Sequence, residues 1–208
     1  MFELLSADTP NGKKVSILLE ELGLEYKVTK INIYKGDQFK PSFSKISPFN
    51  KIPILKDLKT KKYIFESGAI LIYLGEKYKK FYEKKDRLEI LQWLMAQMAY
   101  VGPMFGQHHQ FHHYNHGKSK FGEDRYFKIT TQIYKDLDKR LSKSKYLACS
   151  KYTIADIATF PWVARHEIHD IGLKKFKNLT RWFDLISKRK AVIKGYDFMN
   201  RGEIIPKP

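Results

Sequence analysis

Apolar residues recur along this chain with two different periods, and the change of period divides it in two. Phe2-Glu3-Leu4-Leu5-Ser6-Ala7 is a short strand, closed by Thr9-Pro10-Asn11-Gly12. Val15, Leu18, Leu19 and Leu22 then repeat at i, i+3, i+4 and i+7, the stripe of an amphipathic helix stopped by Gly23. Tyr26 to Ile33 returns to alternation and predicts a half-buried strand. Strand, helix and strand within this length form a βαβ unit, which makes the two strands parallel. Gln38 to Asn50, rich in Ser, Pro and Phe, predicts a loop with one helical turn. Lys51-Ile52-Pro53-Ile54-Leu55 leads into a short strand and Tyr63-Ile64-Phe65 forms another. Glu66-Ser67-Gly68 opens a helix carrying Ile70, Tyr73, Leu74 and Lys77. The result is a small mixed sheet with helices against it.

The charged stretch Lys79–Asp86 breaks this pattern and reads as a linker. Beyond it only the helical period remains. Leu88, Leu91, Met95 and Met98 mark a long helix running to Gly102-Pro103, and Tyr126, Ile129, Ile133, Leu137 and Leu141 mark a second. Thr153-Ile154-Ala155-Asp156 opens a third as a capping box with Asp at the fourth place, continuing through Ile157, Ala158 and Trp162. Leu179, Trp182, Phe183 and Ile186 share one face of the last. The expected organisation is an α/β domain over residues 1–78 and an all-helical domain over residues 86–208. Trp93, Trp162 and Trp182 fall at helical spacing among apolar residues and are expected in the core.

Charge and cysteine usage narrow the function classes. The chain has 208 residues and a net charge of +17, and 32 of its 39 basic residues are lysines. The lysines are scattered through every segment, as in Lys13-Lys14, Lys61-Lys62, Lys79-Lys80, Lys84-Lys85 and Lys174-Lys175. A nucleic-acid reader clusters arginines and aromatics on one stripe. This scatter reads as a solvated surface with a general preference for small anions, and not as a nucleic-acid site. Cys149 is the only cysteine, which excludes a disulfide scaffold and a zinc site built on several thiolates; it is expected to be a reduced structural thiol. No apolar run approaches the ~20 residues of a membrane span. No basic segment followed by a long apolar one succeeds Met1. The expectation is a soluble cytoplasmic protein without a membrane partner.

Four short pieces of the first half carry candidate chemistry. Ser6–Lys13 runs from a strand into a helix start, where outward backbone N–H groups favour an anion. Ile52-Pro53 precedes a strand; with a cis bond, the Ile52 backbone can turn outward and pair with an extended peptide. Phe65-Glu66-Ser67-Gly68 is a second strand-to-helix junction, with Ser67 and free N–H groups for a carboxylate and Glu66 for an ammonium. Gln38 and Lys51 flank the loop and can hold a terminal carboxylate. Simple capping by Thr9, Asn11 or Ser67 remains open beside these roles. His108, His109, His112, His113 and His116 give i, i+4 pairs, but no Glu lies between them as in a zinc-peptidase motif. They are expected to form a polar wall of a cleft or a contact segment between domains, not a metal site.

Taken in order, strand, Thr-Pro-Asn, a loop with Gln38, Ile52-Pro53 and Glu66-Ser67-Gly68-Ala69-Ile70 resemble the thioredoxin-like domain of the glutathione S-transferases. The helical half, with Thr153–Asp156 opening a helix, resembles the family's C-terminal domain, so the resemblance spans the chain. Pro10–Lys13, Gly36–Phe39, Ile46-Ser47-Pro48, Leu91–Leu94, Gly102-Pro103-Met104, Gly106–His109 and Ile154–Ala158 are similar to the bacterial nu class, which includes glutathione-dependent disulfide-bond oxidoreductases. The resemblance implies a thioredoxin-like α/β domain plus an all-α helical bundle, in a homodimer. It implies that Asn11, Gln38, Lys51, Ile52, Pro53, Glu66, Ser67 and Arg125 bind glutathione as co-substrate, with no metal. Thr9 and Asn11 stand where redox-active relatives carry cysteine, so the reactive sulfur comes from the ligand. A Thr hydroxyl and backbone N–H groups at a helix start can stabilise a thiolate. The implied activity is reduction of a small or protein disulfide, with two glutathiones or one glutathione disulfide in the cleft between the domains. Conjugation of glutathione to electrophiles, peroxidase activity and a non-catalytic glutathione-binding regulator are the alternatives.

Overall fold

A computed structural model describes residues 1–208, which divide into two compact units. The first comprises Met1–Glu83 together with Arg189–Ile204, the second Lys84–Lys188 with Ile205–Pro208.

The first unit is built on a four-stranded sheet of order β2-β1-β3-β4. It contains β1 (Phe2–Ser6), α1 (Pro10–Glu21), β2 (Tyr26–Lys30), the single turn α2 (Pro41–Ser44), β3 (Ile54–Asp57), β4 (Lys62–Phe65) and α3 (Ser67–Tyr78). β1 and β2 are parallel, with Phe2 opposite Tyr26, as a βαβ unit requires. β3 runs antiparallel to both β1 and β4. Leu4, Val15, Leu18, Leu19, Ile54, Leu55, Ile70, Leu71 and Leu74 are fully buried between sheet and helices. β2 stops at Lys30, short of the expected Ile33. The Asn32 side chain accepts from the Tyr34 and Lys35 N–H groups, and Asp37 accepts from the Asn32 N–H, so the chain turns away from the sheet.

The second unit contains α4 (Arg87–Ala96), α5 (Gly102–His108), α6 (Lys120–Leu141), α7 (Ile154–Val163) and α8 (Lys177–Ser187). The first long helix does not end at Gly102-Pro103. Wide π-turns at Gln97–Val101 and His109–Tyr114 join α4 and α5 into one helical path from 87 to 114. In the first of them the Gly102 N–H reaches back five residues to the Gln97 carbonyl, which carries the helix through Pro103. The face of α4 also differs from expectation. Ile90 and Leu94 are buried, whereas Leu88 is 65 % and Met95 45 % exposed. The expected capping box is present: Thr153 caps α7, and buried Asp156 accepts from Thr153 N (3.0 Å), Leu147 N (2.9 Å) and Trp182 Nε1 (2.9 Å). Trp182 is the one tryptophan in the core, while Trp93 and Trp162 are half-buried. No helix is long and apolar enough to cross a membrane.

The expected helical domain of residues 86–208 does not hold together as one body. α9 (Lys190–Tyr196) and the residues after it pack on α1 in the first unit. A Cβ on Gly195 would sit 2.6 Å from Ile17 Cα, so glycine alone permits the approach. Ser16 Oγ donates to the Gly195 carbonyl at 2.6 Å. Lys13 donates to the Tyr196 carbonyl at 2.8 Å and pairs with Asp8 and Glu203. Arg189 grips Glu21 through two bonds of 2.5 and 2.7 Å. Lys13 and Lys14, expected on a solvated face, are therefore among the buried residues, at 2 % and 1 % exposure.

Candidate functional site

β1 ends at Ser6 and the chain turns into α1 through Thr9, whose extended backbone (φ −145°) caps the helix. Thr9 Oγ1 accepts from the Gly12 N–H at 3.2 Å. That bond uses an oxygen lone pair and leaves the hydroxyl hydrogen to donate elsewhere. Capping the helix and donating to an anion are compatible on the one Thr9 oxygen. A Cβ on Gly12 would sit 2.5 Å from Ser6 Oγ, so glycine lets the helix start settle onto the end of the strand.

A hollow of about 160 Å3 lies beside this junction. Asn11 lines it from α1, Ser47, Phe49, Lys51, Ile52 and Pro53 from the loop before β3, and Phe65, Glu66 and Ser67 from the second strand-to-helix junction. Pockets for drug-sized ligands measure roughly 300–1,000 Å3, so this hollow is smaller than a whole site of that kind. The Ile52–Pro53 bond is cis. Ser47, buried at 2 % exposure, holds the turn before it: its hydroxyl donates to the Lys51 carbonyl (2.8 Å) and accepts from the Lys51 N–H (2.9 Å). Glu66 precedes α3 at φ 68°, a left-handed conformation that costs a non-glycine residue roughly 1–3 kcal/mol and concentrates at binding sites. It leaves Glu66 exposed and Ser67 buried at the helix start.

Asn11, Lys51, Ile52, Pro53, Glu66 and Ser67 are thus brought together. Gln38 is not among the residues lining the hollow; its side-chain amide donates to the Ile33 carbonyl at 3.2 Å. Arg125 is exposed on α6 in the second unit, its guanidinium 6.0 Å over the Tyr126 ring, beside a shallow hollow of about 430 Å3. Two residues escaped the sequence reading. Ser47 stands in Ile46-Ser47-Pro48, where nothing in the sequence marks its hydroxyl as the holder of the turn. Lys14 was counted with the surface lysines, yet its Nζ donates to Ser67 Oγ at 3.5 Å in the interior. Its position four residues before Leu18, on the buried stripe of α1, is the signal that pointed inward.

The histidine run divides between surface and interior. His113 and His116 are exposed, but His108 and His109 are buried in the second unit. Tyr134 Oη meets His169 Nδ1 at 2.7 Å and His169 Nε2 meets His109 Nε2 at 2.8 Å, a buried chain of three side chains. His108 Nε2 donates to the His169 carbonyl at 3.0 Å. Burial, aided by neighbouring positive groups, pushes His109 down to about 3 and His108 to about 4, so both are neutral imidazoles at neutral pH. No three of the His, Cys, Asp and Glu side chains converge to hold a metal ion.

Residues 2–76 match the family description "Glutathione S-transferase, N-terminal domain" and residues 93–190 match "Glutathione S-transferase, C-terminal domain". The chain belongs to the glutathione S-transferase family. This transferase-family chain is 40 % identical over 198 residues to the disulfide-bond oxidoreductase YfcG of Escherichia coli, a match covering 92 % of each chain. It is similar to a glutathione transferase from Pseudomonas putida crystallised with one glutathione disulfide per subunit, with a TM-score of 0.87, 39 % identity, and coverage of 94 % and 90 %. A glutathione transferase from Burkholderia graminis, crystallised with two glutathione molecules per subunit, gives a TM-score of 0.89 at 38 % identity, covering 97 % and 89 %.

Proposed function

We propose that the protein is a glutathione-dependent disulfide-bond reductase of the nu class whose reactive sulfur belongs to its ligand. The observation that carries this reading is the junction at Thr9 and Asn11. It offers a hydroxyl hydrogen, a side-chain amide and a helix start, and no cysteine stands in it. The similarity to a disulfide-bond oxidoreductase and to structures holding glutathione or its disulfide supports the same reading. The tripeptide is placed with its γ-glutamyl end at Glu66 and Ser67, its cysteinyl backbone along Ile52 beside Pro53, and its glycyl carboxylate toward Lys51 and Gln38.

Chemically, a glutathione thiolate attacks one sulfur of the substrate disulfide. A glutathione–substrate mixed disulfide forms, and the other substrate sulfur leaves as a thiolate and takes a proton. A second glutathione thiolate attacks the glutathione sulfur of that mixed disulfide. Glutathione disulfide forms and the second substrate thiol is released. Two glutathiones have been oxidised by two electrons and one substrate disulfide reduced by two. Thr9 and Asn11 hold the attacking sulfur as thiolate by donating to it. Thr9→Val and Asn11→Ala should each lower turnover about 10- to 100-fold, the low end of losing one donor to a developing anion. Cys149→Ala should keep its activity. The assay pairs glutathione with a small disulfide, and in parallel with a chloronitrobenzene and a hydroperoxide to separate reduction from conjugation and peroxidase activity. Full activity in the Thr9→Val, Asn11→Ala double variant, or its loss in Cys149→Ala, would sink the mechanism. The placement has its own test by calorimetry: Glu66→Ala and Ser67→Ala should each weaken glutathione binding by about 1.5–3 kcal/mol. The outward apolar residues Leu88 and Met95 on α4, and Tyr63 and Phe65 on edge strand β4, favour a homodimer, which sedimentation velocity reads directly.

A further inference from the structure

The turn between β1 and α1 is tied to a part of the chain made 190 residues later. Some of its bonds are local: Ser6 Oγ donates to the Ala7 carbonyl at 3.0 Å, Thr9 Oγ1 accepts from the Gly12 N–H, and the Lys13 N–H donates to the Thr9 carbonyl at 3.0 Å. Asp8, immediately before Thr9, and Lys13, two residues after Asn11, reach further. The Lys13 ammonium, on a side chain 3 % exposed, pairs with Asp8 at 2.9 Å and with Glu203. It also donates to the Tyr196 carbonyl at 2.8 Å and lies 3.9 Å from the centre of the Tyr196 ring. Arg201 stands 3.9 Å from the second Asp8 oxygen. Phe198 meets the same turn, since a Cβ on Gly12 would sit 3.1 Å from its Cζ. The segment that supplies these groups is itself folded. The Asp197 side chain accepts from the Arg201 N–H at 2.8 Å and the Gly202 N–H at 3.1 Å, and its carbonyl accepts from the Asn200 N–H at 2.8 Å. Residues 197–202 thus form a closed turn that leads into Glu203.

We infer that Glu203 is a positioning residue: through Lys13 it fixes Asp8, and with it the loop on which Thr9 and Asn11 meet the ligand's sulfur. The inference rests on the role proposed above for those two residues. Lys13 bridges two carboxylates of different origin, Asp8 from the loop and Glu203 from the C-terminal segment. A buried ammonium keeps its place while its counter-charges are there, and removing one partner of such a group leaves the rest strained. With Glu203 neutralised, Lys13 is answered less fully in the interior and shifts toward water, taking Asp8 with it. Thr9 is bonded to Asp8 through the backbone and moves with the pair. Donors held by a supporting shell act only in register with the reacting atom. A misplacement of ~1 Å costs about 100-fold in rate, so a partial displacement of this loop should cost about tenfold.

The test is Glu203→Gln, an isosteric change at a half-exposed position that leaves the core intact. In the full-length protein it should lower kcat for disulfide reduction about tenfold with KM for glutathione unchanged. The thiol pKa of bound glutathione, read from the ultraviolet absorbance of the thiolate as the pH is raised, should rise by about one unit, which is the same tenfold loss of thiolate. Affinity for S-methylglutathione, which has no thiolate to hold, should stay at the parent value in calorimetry. Glu203→Asp, which keeps the charge, should recover most of the lost turnover. Asp197→Ala opens the turn before Glu203 without touching the loop and should reproduce the effect, and the double variant should lose no more than the larger single loss. A Glu203→Gln protein that melts earlier but keeps the parent kcat and thiol pKa would overturn the inference, because the tie would then serve stability alone. A loss confined to KM or to S-methylglutathione affinity would overturn it as well. If the thiol pKa of bound glutathione is the same in the parent, Thr9→Val and Asn11→Ala, the role of Thr9 and Asn11 falls instead, and Glu203 has nothing to position.

Discussion

Asp57 ends β3 with its carboxylate 1 % exposed, surrounded by donors: Tyr73 Oη at 2.6 Å, Lys59 N at 2.9 Å, Thr60 N at 3.2 Å, and the Lys77 ammonium. Burial alone would push this carboxyl up, but Lys77, Tyr73 and the two backbone N–H groups outweigh it and hold it well below the usual carboxylate range. The Asp57 bond in turn pushes Lys77 up to about 12. Between the unfolded and folded values of Asp57 the unfolded chain binds the extra proton. The stabilisation is therefore complete above about pH 4 and fades as the pH falls below it. Asp57→Asn should cost about 2–3 kcal/mol at pH 7, one lost charged hydrogen bond. In urea melts the gap from the parent should narrow steadily from pH 4 to pH 2; a constant gap would show that Asp57 acts through packing alone. Thr9, Asn11, Glu66 and Ser67 could be found from the sequence because a strand running into a helix start announces itself within a few residues. The burial of Lys14 could not be found from composition, since a lysine ordinarily reads as solvent-facing and only its spacing to Leu18 said otherwise.

Among the elements, α7 shows how much a local signal can specify. Thr153 and Asp156 were recognisable three residues apart, but the partners of Asp156 were not. Leu147 lies in the preceding loop and Trp182 on α8, 26 residues on. Asp156→Ala should therefore cost more than loss of a cap. It strands the Leu147 and Trp182 N–H groups in the interior, and about 3–5 kcal/mol is expected, as when one partner of a buried charged group is removed. Thr153→Ala removes mainly the cap and should cost about 1 kcal/mol. Equal losses in denaturant melts of the two variants would contradict this reading of Asp156. α4 shows the opposite case. It carries two adjacent apolar stripes, one through Leu88, Leu91 and Met95, the other through Ile90 and Leu94. Periodicity identifies the helix but cannot choose between stripes that are equally apolar.

For the molecule as a whole, the net charge of +17 is carried mostly by lysines that stay on the surface, Lys13 and Lys14 excepted. Duplex DNA should bind weakly and lose affinity steeply between low and physiological salt, as a diffuse positive field does. A sequence-selective nanomolar complex at ~0.15 M salt would contradict a purely solvating role. The change from alternating to helical periodicity falls in the charged stretch Lys79–Asp86, and the opening run of the first unit ends at Glu83. It was blind to the return of residues 189–204, because what ties them to the first unit is Gly195 against Ile17, Ser16 and Lys13, contacts between residues more than 170 positions apart. Gly195→Ala should loosen α9 from α1. Its cost of about 1–3 kcal/mol, set by overpacking, should appear as early proteolysis after Lys188.

That returning segment has a consequence for biosynthesis. A ribosome releases residues 1–83 long before it has made residues 189–204, and at ~5–20 residues per second the delay lasts many seconds. Throughout that time the outward side of α1, with Lys13, Ser16 and Ile17, has nothing to pack against. The portion made first is finished last. A nascent chain stalled before Lys188 clears the exit tunnel should leave this surface open to chaperones, and the surface should close only once the final segment is free.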